Sequence, residues 1–110
     1  MEIKIGCDIA NIKRFKALGK RALLKIFHEQ EIRGAKPETI AGIFAAKESC
    51  RKVFNELRWR DITIKKMKSG KPVLSIDSAK INKKIKIESS DLSISHDGDY
   101  AIASAVFLLE

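Results

Sequence analysis

The sequence predicts an α+β domain in which one antiparallel sheet packs against a long helix and shorter helices. Two observations lead to this class. Apolar residues recur every three or four positions in much of the first half of the chain, whereas they alternate with polar residues in most of the second half. The 110 residues match the usual length of one domain, so we expect residues 1–110 to form a single unit.

The first half begins with a strand and continues with helices. Residues 2–9 alternate and predict a strand. Residues 12–27 have helical spacing with a basic opposite face, and Gly19 is a candidate break. Residues 37–57 predict the longest helix, which opens with a proline in its first turn.

The second half has the period of strands, separated by glycine-containing turns. The lysine-rich stretch 77–90 is ambiguous and is interpreted as a short helix with a loop. We expect strands over residues 61–67, 73–76, 91–96 and 100–109.

The charge balance points to an anionic partner. The formal net charge is +8, which suits nucleic acid, an acidic protein or a phosphorylated small molecule. No run approaches the roughly 18 apolar residues of a membrane span. Acidic Glu2 and Asp8 interrupt the apolar stretch that a signal peptide would need. We therefore expect a cytoplasmic protein with no membrane partner.

Several common sites do not match the sequence. Cys7 and Cys50 have no close cysteine or histidine partners in zinc-site spacing, so reduced thiols are expected. The stretch "SGKP" lacks the pattern of a phosphate loop. Ser95 and His96 are strand neighbours that point to opposite faces, which excludes a simple nucleophile–base pair. One Tyr and one Trp offer few stacking platforms for nucleic acid.

The stretch "FAAKESCRK" in the long helix carries two charged residues at unusual positions, Lys47 and Glu48. On a helical wheel Lys47 falls inside an apolar arc, while Glu48 and Lys52 lie i, i+4 on a line of small residues. The simplest interpretation is a lysine whose stem is buried beside a surface ion pair. The alternative is a functional anion site.

Three separated elements place one polar group each at an end or margin, namely Asp8, Glu48 and His96. Two carboxylates with a lysine and a histidine make a poor protein-only metal cage. They suit Mg²⁺, which binds one or two carboxylates and completes its shell with phosphate oxygens and water.

Four segments in order resemble the holo-[acyl carrier protein] synthases, the short bacterial class of 4′-phosphopantetheinyl transferases. They are "IGCDIANIKRF", "IAGIFAAKESCRK", "DITIKKMKSGKPVL" and "LSISHDGDYAIASAVF", and together they span nearly the whole chain. The resemblance implies transfer of 4′-phosphopantetheine from coenzyme A to a serine of apo acyl carrier protein. Adenosine 3′,5′-bisphosphate would be released, and the reaction would support fatty acid biosynthesis.

The resemblance also implies roles for individual residues. Asp8 and Glu48 would hold Mg²⁺, and Lys52 would complete the catalytic set. Lys52 and His96 would hold the coenzyme A diphosphate, and Lys47 either supports this anionic site or is structural. Arg14, with the neighbouring basic residues Lys13, Lys20 and Arg21, would bind the acidic carrier protein.

The resemblance further implies a homotrimer with active sites between subunits. We then expect an interface to supply counter-charges for Lys47 and Glu48, and a neighbour to bury exposed apolar surface at residues 40–44.

The sequence departs from the family pattern at two places. "KVFNELRWRD" replaces a Lys-Ala-x-Gly-Thr-Gly stretch that lines the coenzyme site, and Ile43 stands where an arginine is common. The general base stays open between Glu48, a metal-bound water and another carboxylate. Two alternative functions also stay open: a basic nucleic-acid-binding module, and a carrier-binding protein without catalysis.

Overall fold

The computed structural model describes all residues, 1–110, and contains five strands and four α-helices. The strands are β1 (Glu2–Asn11), β2 (Ile62–Lys66), β3 (Pro72–Ile76), β4 (Ile87–Asp97) and β5 (Tyr100–Leu109). The helices are α1 (Lys13–Lys16), α2 (Lys20–Leu23), α3 (Glu29–Ile32) and α4 (Pro37–Val53), with 3-10 turns at Trp59–Asp61 and Ser78–Lys80. The predicted α+β class is confirmed.

The strands form two antiparallel sheets instead of the single sheet expected. One has the order β1-β5-β4, and the other is the hairpin of β2 and β3. In the larger sheet Asp8 lies opposite Ala103, and His96 lies opposite Ala101. Residues that lie opposite each other share a face. This register puts Asp8 and His96 on the same face.

Helix α4 covers that face and supplies much of the core. Its residues from Ile40 to Ala46 are all buried. β1 crosses α4 at Gly6, where a Cβ atom would overlap the carbonyl oxygen of Ser49. The Ser49 hydroxyl donates to the carbonyls of Ala45 and Ala103, and so ties the helix to β5. Only glycine permits so close a crossing.

The basic helical segment is shorter and more broken than expected. Residues 12–27 form two single turns, α1 and α2, and Gly19 between them has extended backbone. Leu18, whose spacing would put it on the apolar side of one continuous helix, is exposed. The predicted break is therefore real, and the basic residues lie on two turns instead of one continuous helix face.

Two other boundaries moved. α4 ends at Val53 instead of Leu57, because Phe54 leaves helical backbone geometry and packs its ring edge-on to Phe107 at 4.9 Å. β4 begins at Ile87, so part of the ambiguous stretch is strand. The longest helix falls short of what a membrane span requires in length and apolarity.

The outer face of the larger sheet is apolar and uncovered. Ile3 and Ile5 of β1 are 70% and 69% exposed, and Ile9 is 59% exposed. Ile102 and Val106 of β5 continue the same face at 43% and 37%. Contiguous exposed apolar residues of this kind are unusual on an isolated protein and mark an interaction surface.

Candidate active site

The crossing of β1 and α4 brings together two of the residues that the sequence singles out. The Lys52 ammonium lies 3.2 Å from Oδ1 of Asp8 and donates to the Cys7 carbonyl at 2.7 Å. The Asp8 side chain is 19% exposed, so its carboxylate faces a partly open site. A strand and a helix that are otherwise apolar thus meet at one ion pair.

Glu48 lies one helical turn before Lys52 and has its own cation. Its Oε2 accepts a hydrogen bond from Nη1 of Arg51 at 3.1 Å. The Glu48 side chain is 27% exposed, comparable to Asp8. Each candidate carboxylate is therefore partly open and neutralised by one cation of α4.

Lys47 points the other way, into the interior. Its ammonium lies 2.7 Å from Oε1 of Glu31, and both side chains are fully buried. The ammonium also donates to the carbonyls of Ile26, Trp59 and Ile62 at 2.8–3.1 Å. Burial lowers the pKa of Lys47, and the hydrogen bond and charge of Glu31 oppose this shift.

This placement corrects the expected source of the counter-charge. Glu31 of the same chain pairs with Lys47, so no neighbouring subunit is needed for it. Ile40 and Phe44, expected to be exposed beside Lys47, are each only 6% exposed. The ammonium hydrogens of Lys47 are directed at internal acceptors, which is the geometry expected of a structural lysine. Binding of coenzyme A by Lys47 stays an untested prediction.

His96 and Asp8 do not meet within one chain. β5 separates their strands, and two strand spacings of 4.7–4.9 Å put them about 10 Å or more apart. His96 is exposed near the end of β4, although it lies on the helix-facing side. One subunit alone therefore presents Asp8, Glu48 and Lys52 without His96.

The basic residues proposed to bind a carrier protein lie on α1 and α2 and are exposed. The Arg14 guanidinium stands over two aromatic rings, 5.6 Å from the centroid of Phe15 and 5.2 Å from that of Phe44. Lys13 and Lys20 make only long surface ion pairs, at 3.5 Å with Asp99 and 3.6 Å with Glu29. Arg14 is thus the cation with aromatic support.

The two carboxylates suit a hard divalent cation such as Mg²⁺. No group of three or more His, Cys, Asp or Glu side chains could hold an ion without other ligands. Asp8 and Glu48 offer only oxygen donors on two adjoining elements, and each is partly open to solvent. Mg²⁺ commonly accepts one or two carboxylates and keeps its remaining positions for phosphate oxygens and water.

Sequence reasoning missed two residues around this site. Glu31 accepts from Lys47, from the His28 amide at 2.7 Å and from the Ile64 amide at 2.8 Å. Arg51 was passed over although it lies three residues after Glu48. Its i, i+3 spacing was a usable signal. No sequence signal identifies Glu31, because its partners other than the His28 amide are distant in the chain.

Comparison with known proteins shows the family of this chain. Residues 4–105 match the family model of the 4′-phosphopantetheinyl transferase superfamily. A holo-[acyl-carrier-protein] synthase of Wolinella succinogenes is 39% identical over 109 residues, covering 90% of this chain and 92% of that protein. The Sulfurimonas denitrificans synthase is 40% identical and covers 90% of this chain and 89% of that protein.

A solved structure with a similar level of sequence identity has the same fold. The Helicobacter pylori holo-[acyl-carrier-protein] synthase in complex with coenzyme A is 34% identical with a TM-score of 0.81. The match covers 96% of this chain and all of that one. The chain belongs to the holo-[acyl-carrier-protein] synthases of the 4′-phosphopantetheinyl transferase superfamily.

Proposed function

We propose that this chain transfers 4′-phosphopantetheine from coenzyme A to a serine of apo acyl carrier protein. The serine oxygen forms a new bond to the β-phosphorus of coenzyme A, and the bond from that phosphorus to the bridging oxygen breaks. Adenosine 3′,5′-bisphosphate leaves, and the serine proton passes to a base of the site or to solvent. The observation that carries this proposal is the Asp8–Lys52 pair beside Glu48, where β1 crosses α4.

The acidic and basic residues of the site have different roles. Asp8 and Glu48 would hold Mg²⁺, which when bound would neutralise charge on the diphosphate and favour departure of the bisphosphate. Lys52 is 57% exposed, so its ammonium can reach from Asp8 to a phosphate oxygen. Positioning and charge neutralisation supply most of the catalysis in phosphoryl transfer.

The uncovered sheet face supports the homotrimer. Isoleucines 3, 5 and 9 of β1 point away from α4, and burying them against other copies removes a large apolar area from water. His96 is too far from Asp8 in its own chain. A neighbouring subunit can supply it, which puts the active site between subunits.

The basic turns α1 and α2 support an acidic protein substrate. Arg14, Lys13, Lys20 and Arg21 are exposed on them, and carrier proteins are acidic. The proposed setting is fatty acid biosynthesis in the cytoplasm, with residues 1–110 acting as one domain. An exposed Cys7 thiol without a disulfide partner agrees with a reducing compartment.

Mass spectrometry of a carrier protein tests the proposal directly. Apo acyl carrier protein is incubated with the enzyme, coenzyme A and Mg²⁺, and the expected product has gained one phosphopantetheine. Reactions without enzyme, without coenzyme A, or with chelator are the controls. An unmodified carrier, retained on the enzyme in a binding assay, would instead support the catalytically inactive alternative.

A further inference from the structure

Arg51 is held on three sides next to Glu48. Its Nε donates to the Leu57 carbonyl at 2.9 Å, and its Nη1 donates to Oε2 of Glu48 at 3.1 Å. Its guanidinium carbon stands 5.1 Å from the centroid of the Trp59 ring. A guanidinium is planar, so two hydrogen bonds and one stacked face fix its position and plane.

Trp59 is itself fixed, and by its backbone. Its carbonyl accepts from the buried Lys47 ammonium at 3.1 Å, which anchors the 3-10 turn against α4. Its indole N–H is buried without a hydrogen-bond partner. A buried indole N–H usually has a partner. The polar contact of the Trp59 side chain is therefore made by the face of its ring, over which Arg51 lies, and not by its N–H group.

We propose that Arg51, braced by Trp59 and the Leu57 carbonyl, is a positioning residue that orients the Glu48 carboxylate for metal binding. This inference rests on the proposed function of Glu48. Arg51 occupies Oε2 and leaves Oε1 as the oxygen without a bond to the protein. Orientation in advance avoids the entropy loss of fixing a flexible glutamate when the ion binds. Leu57 and Trp59 come from "NELRW", within the segment that departs from the glycine-containing family stretch.

The variant Arg51→Lys separates geometry from charge. Lysine keeps the positive charge but lacks the planar fork, so it cannot bind Leu57 and Glu48 at once and stack on Trp59. We expect Mn²⁺, used as a spectroscopic substitute for Mg²⁺, to bind about two- to fivefold more weakly. Electron paramagnetic resonance of free Mn²⁺ measures this affinity without any turnover. We expect kcat to fall with it and KM for carrier protein to stay unchanged.

Trp59→Leu, alone and combined with Arg51→Lys in a double variant, tests whether the Trp59 ring holds Arg51 in place. Trp59→Leu removes the stacked face and keeps both Arg51 hydrogen bonds, so a smaller loss of Mn²⁺ affinity is expected. If the two residues act as one unit, the double variant loses little more than Arg51→Lys alone. Arg58→Lys is the matched control, since Arg58 is an exposed arginine of the same segment, and it should equal wild type.

Fluorescence provides a readout that needs neither metal nor substrate. Trp59 is the only tryptophan of the chain, so its emission reports the guanidinium on its ring. We expect Arg51→Lys to change the emission and Arg58→Lys to leave it unchanged. Wild-type Mn²⁺ affinity in Arg51→Lys, or full additivity in the double variant, would overturn the inference while leaving the proposed function intact. A wild-type protein that neither binds Mn²⁺ nor modifies carrier protein would overturn both.

Discussion

The ammonium of Lys47 lies 2.7 Å from Oε1 of Glu31, and neither side chain has any exposed surface. Removing two charges from water is costly, and the four acceptors around the ammonium offset this cost. The acceptors belong to α3, to the turn that follows α2, to the 3-10 turn at Trp59 and to β2. The pair therefore joins α4 to the elements that pack on its interior side.

We expect Lys47→Met to destabilise the protein by about 3–5 kcal/mol, because it leaves the Glu31 carboxylate buried without its cation. Urea unfolding at one fixed protein concentration measures this, since association would add to the apparent stability. The matched control is Lys20→Met, which removes an exposed ion pair and should change stability by less than about 1 kcal/mol. Equal midpoints for the two variants would contradict the structural role of Lys47.

The Lys47–Glu31 pair also shows the limit of sequence patterns. Helical periodicity predicted α4, its start at Pro37 and the unusual position of Lys47 inside an apolar arc. The identity of the partner depends on how α3 folds back onto α4, and no local spacing encodes it. The counter-charge of Lys47 was therefore expected from a neighbouring subunit, whereas Glu31 supplies it in the interior of the same chain.

Strand β1 shows the same limit for the direction of a face. Alternation correctly predicted a strand with isoleucines on one side, and such a side is usually turned toward the core. Here the other side, with Gly6, Asp8 and Ala10, faces α4. The helix approaches so closely at Gly6 that no side chain fits between the strand and the helix at this position. The isoleucines then remain outside, for another molecule to cover.

We expect Gly6→Ala to cost about 2–4 kcal/mol and to lower transfer activity, because its methyl group would overlap the Ser49 backbone. The shift needed to relieve that overlap would move Asp8 away from α4. Gly19→Ala is the control, since nothing lies within 4 Å of the new Cβ and the backbone angles suit alanine. Thermal unfolding measures the loss of stability, and a transfer assay measures the loss of activity. A Gly6→Ala enzyme with wild-type stability would contradict the close contact between Gly6 and the Ser49 backbone.

Transfer should require a divalent ion and both carboxylates. We expect Asp8→Ala and Glu48→Ala each to reduce transfer by about 100-fold or more, with unchanged circular dichroism, because each removes one oxygen ligand. Glu88→Ala removes an exposed carboxylate from the start of β4 and should retain activity. Full turnover by either site variant in excess chelator would refute the metal assignment.

The outer sheet face should hold subunits together. We expect light scattering to give about three times the monomer mass of 12.3 kDa for the wild type. Ile5→Lys puts a charge at the centre of the apolar face and should produce monomers with little transfer activity, since His96 would lose its neighbouring site. Met67→Lys changes an exposed apolar residue in the turn after β2 and should remain associated. A wild type that is monomeric at micromolar concentration would exclude sites shared between subunits.

The basic turns should recognise an acidic carrier protein, with Arg14 as the principal contact. Its guanidinium is placed over Phe15 and Phe44, whereas the exposed Lys13 and Lys20 make only surface ion pairs. We expect Arg14→Glu to raise KM for carrier protein about three- to tenfold and to reduce its salt dependence. KM for coenzyme A should be nearly unchanged, because its proposed site is the crossing of β1 and α4.

Lys83→Glu is the matched control for Arg14→Glu, because it makes the same change in net charge on a different surface, the loop before β4. If both variants raise KM for carrier protein equally, the net charge and not the α1 turn attracts the substrate. Fluorescence anisotropy with labelled carrier protein and labelled DNA then separates the two anionic partners that a charge of +8 allows. DNA binding by counterion release would show a steep salt slope shared by both variants. Carrier recognition through a fixed guanidinium instead predicts weakening by Arg14→Glu alone, so tight DNA binding at physiological salt without carrier binding would contradict it.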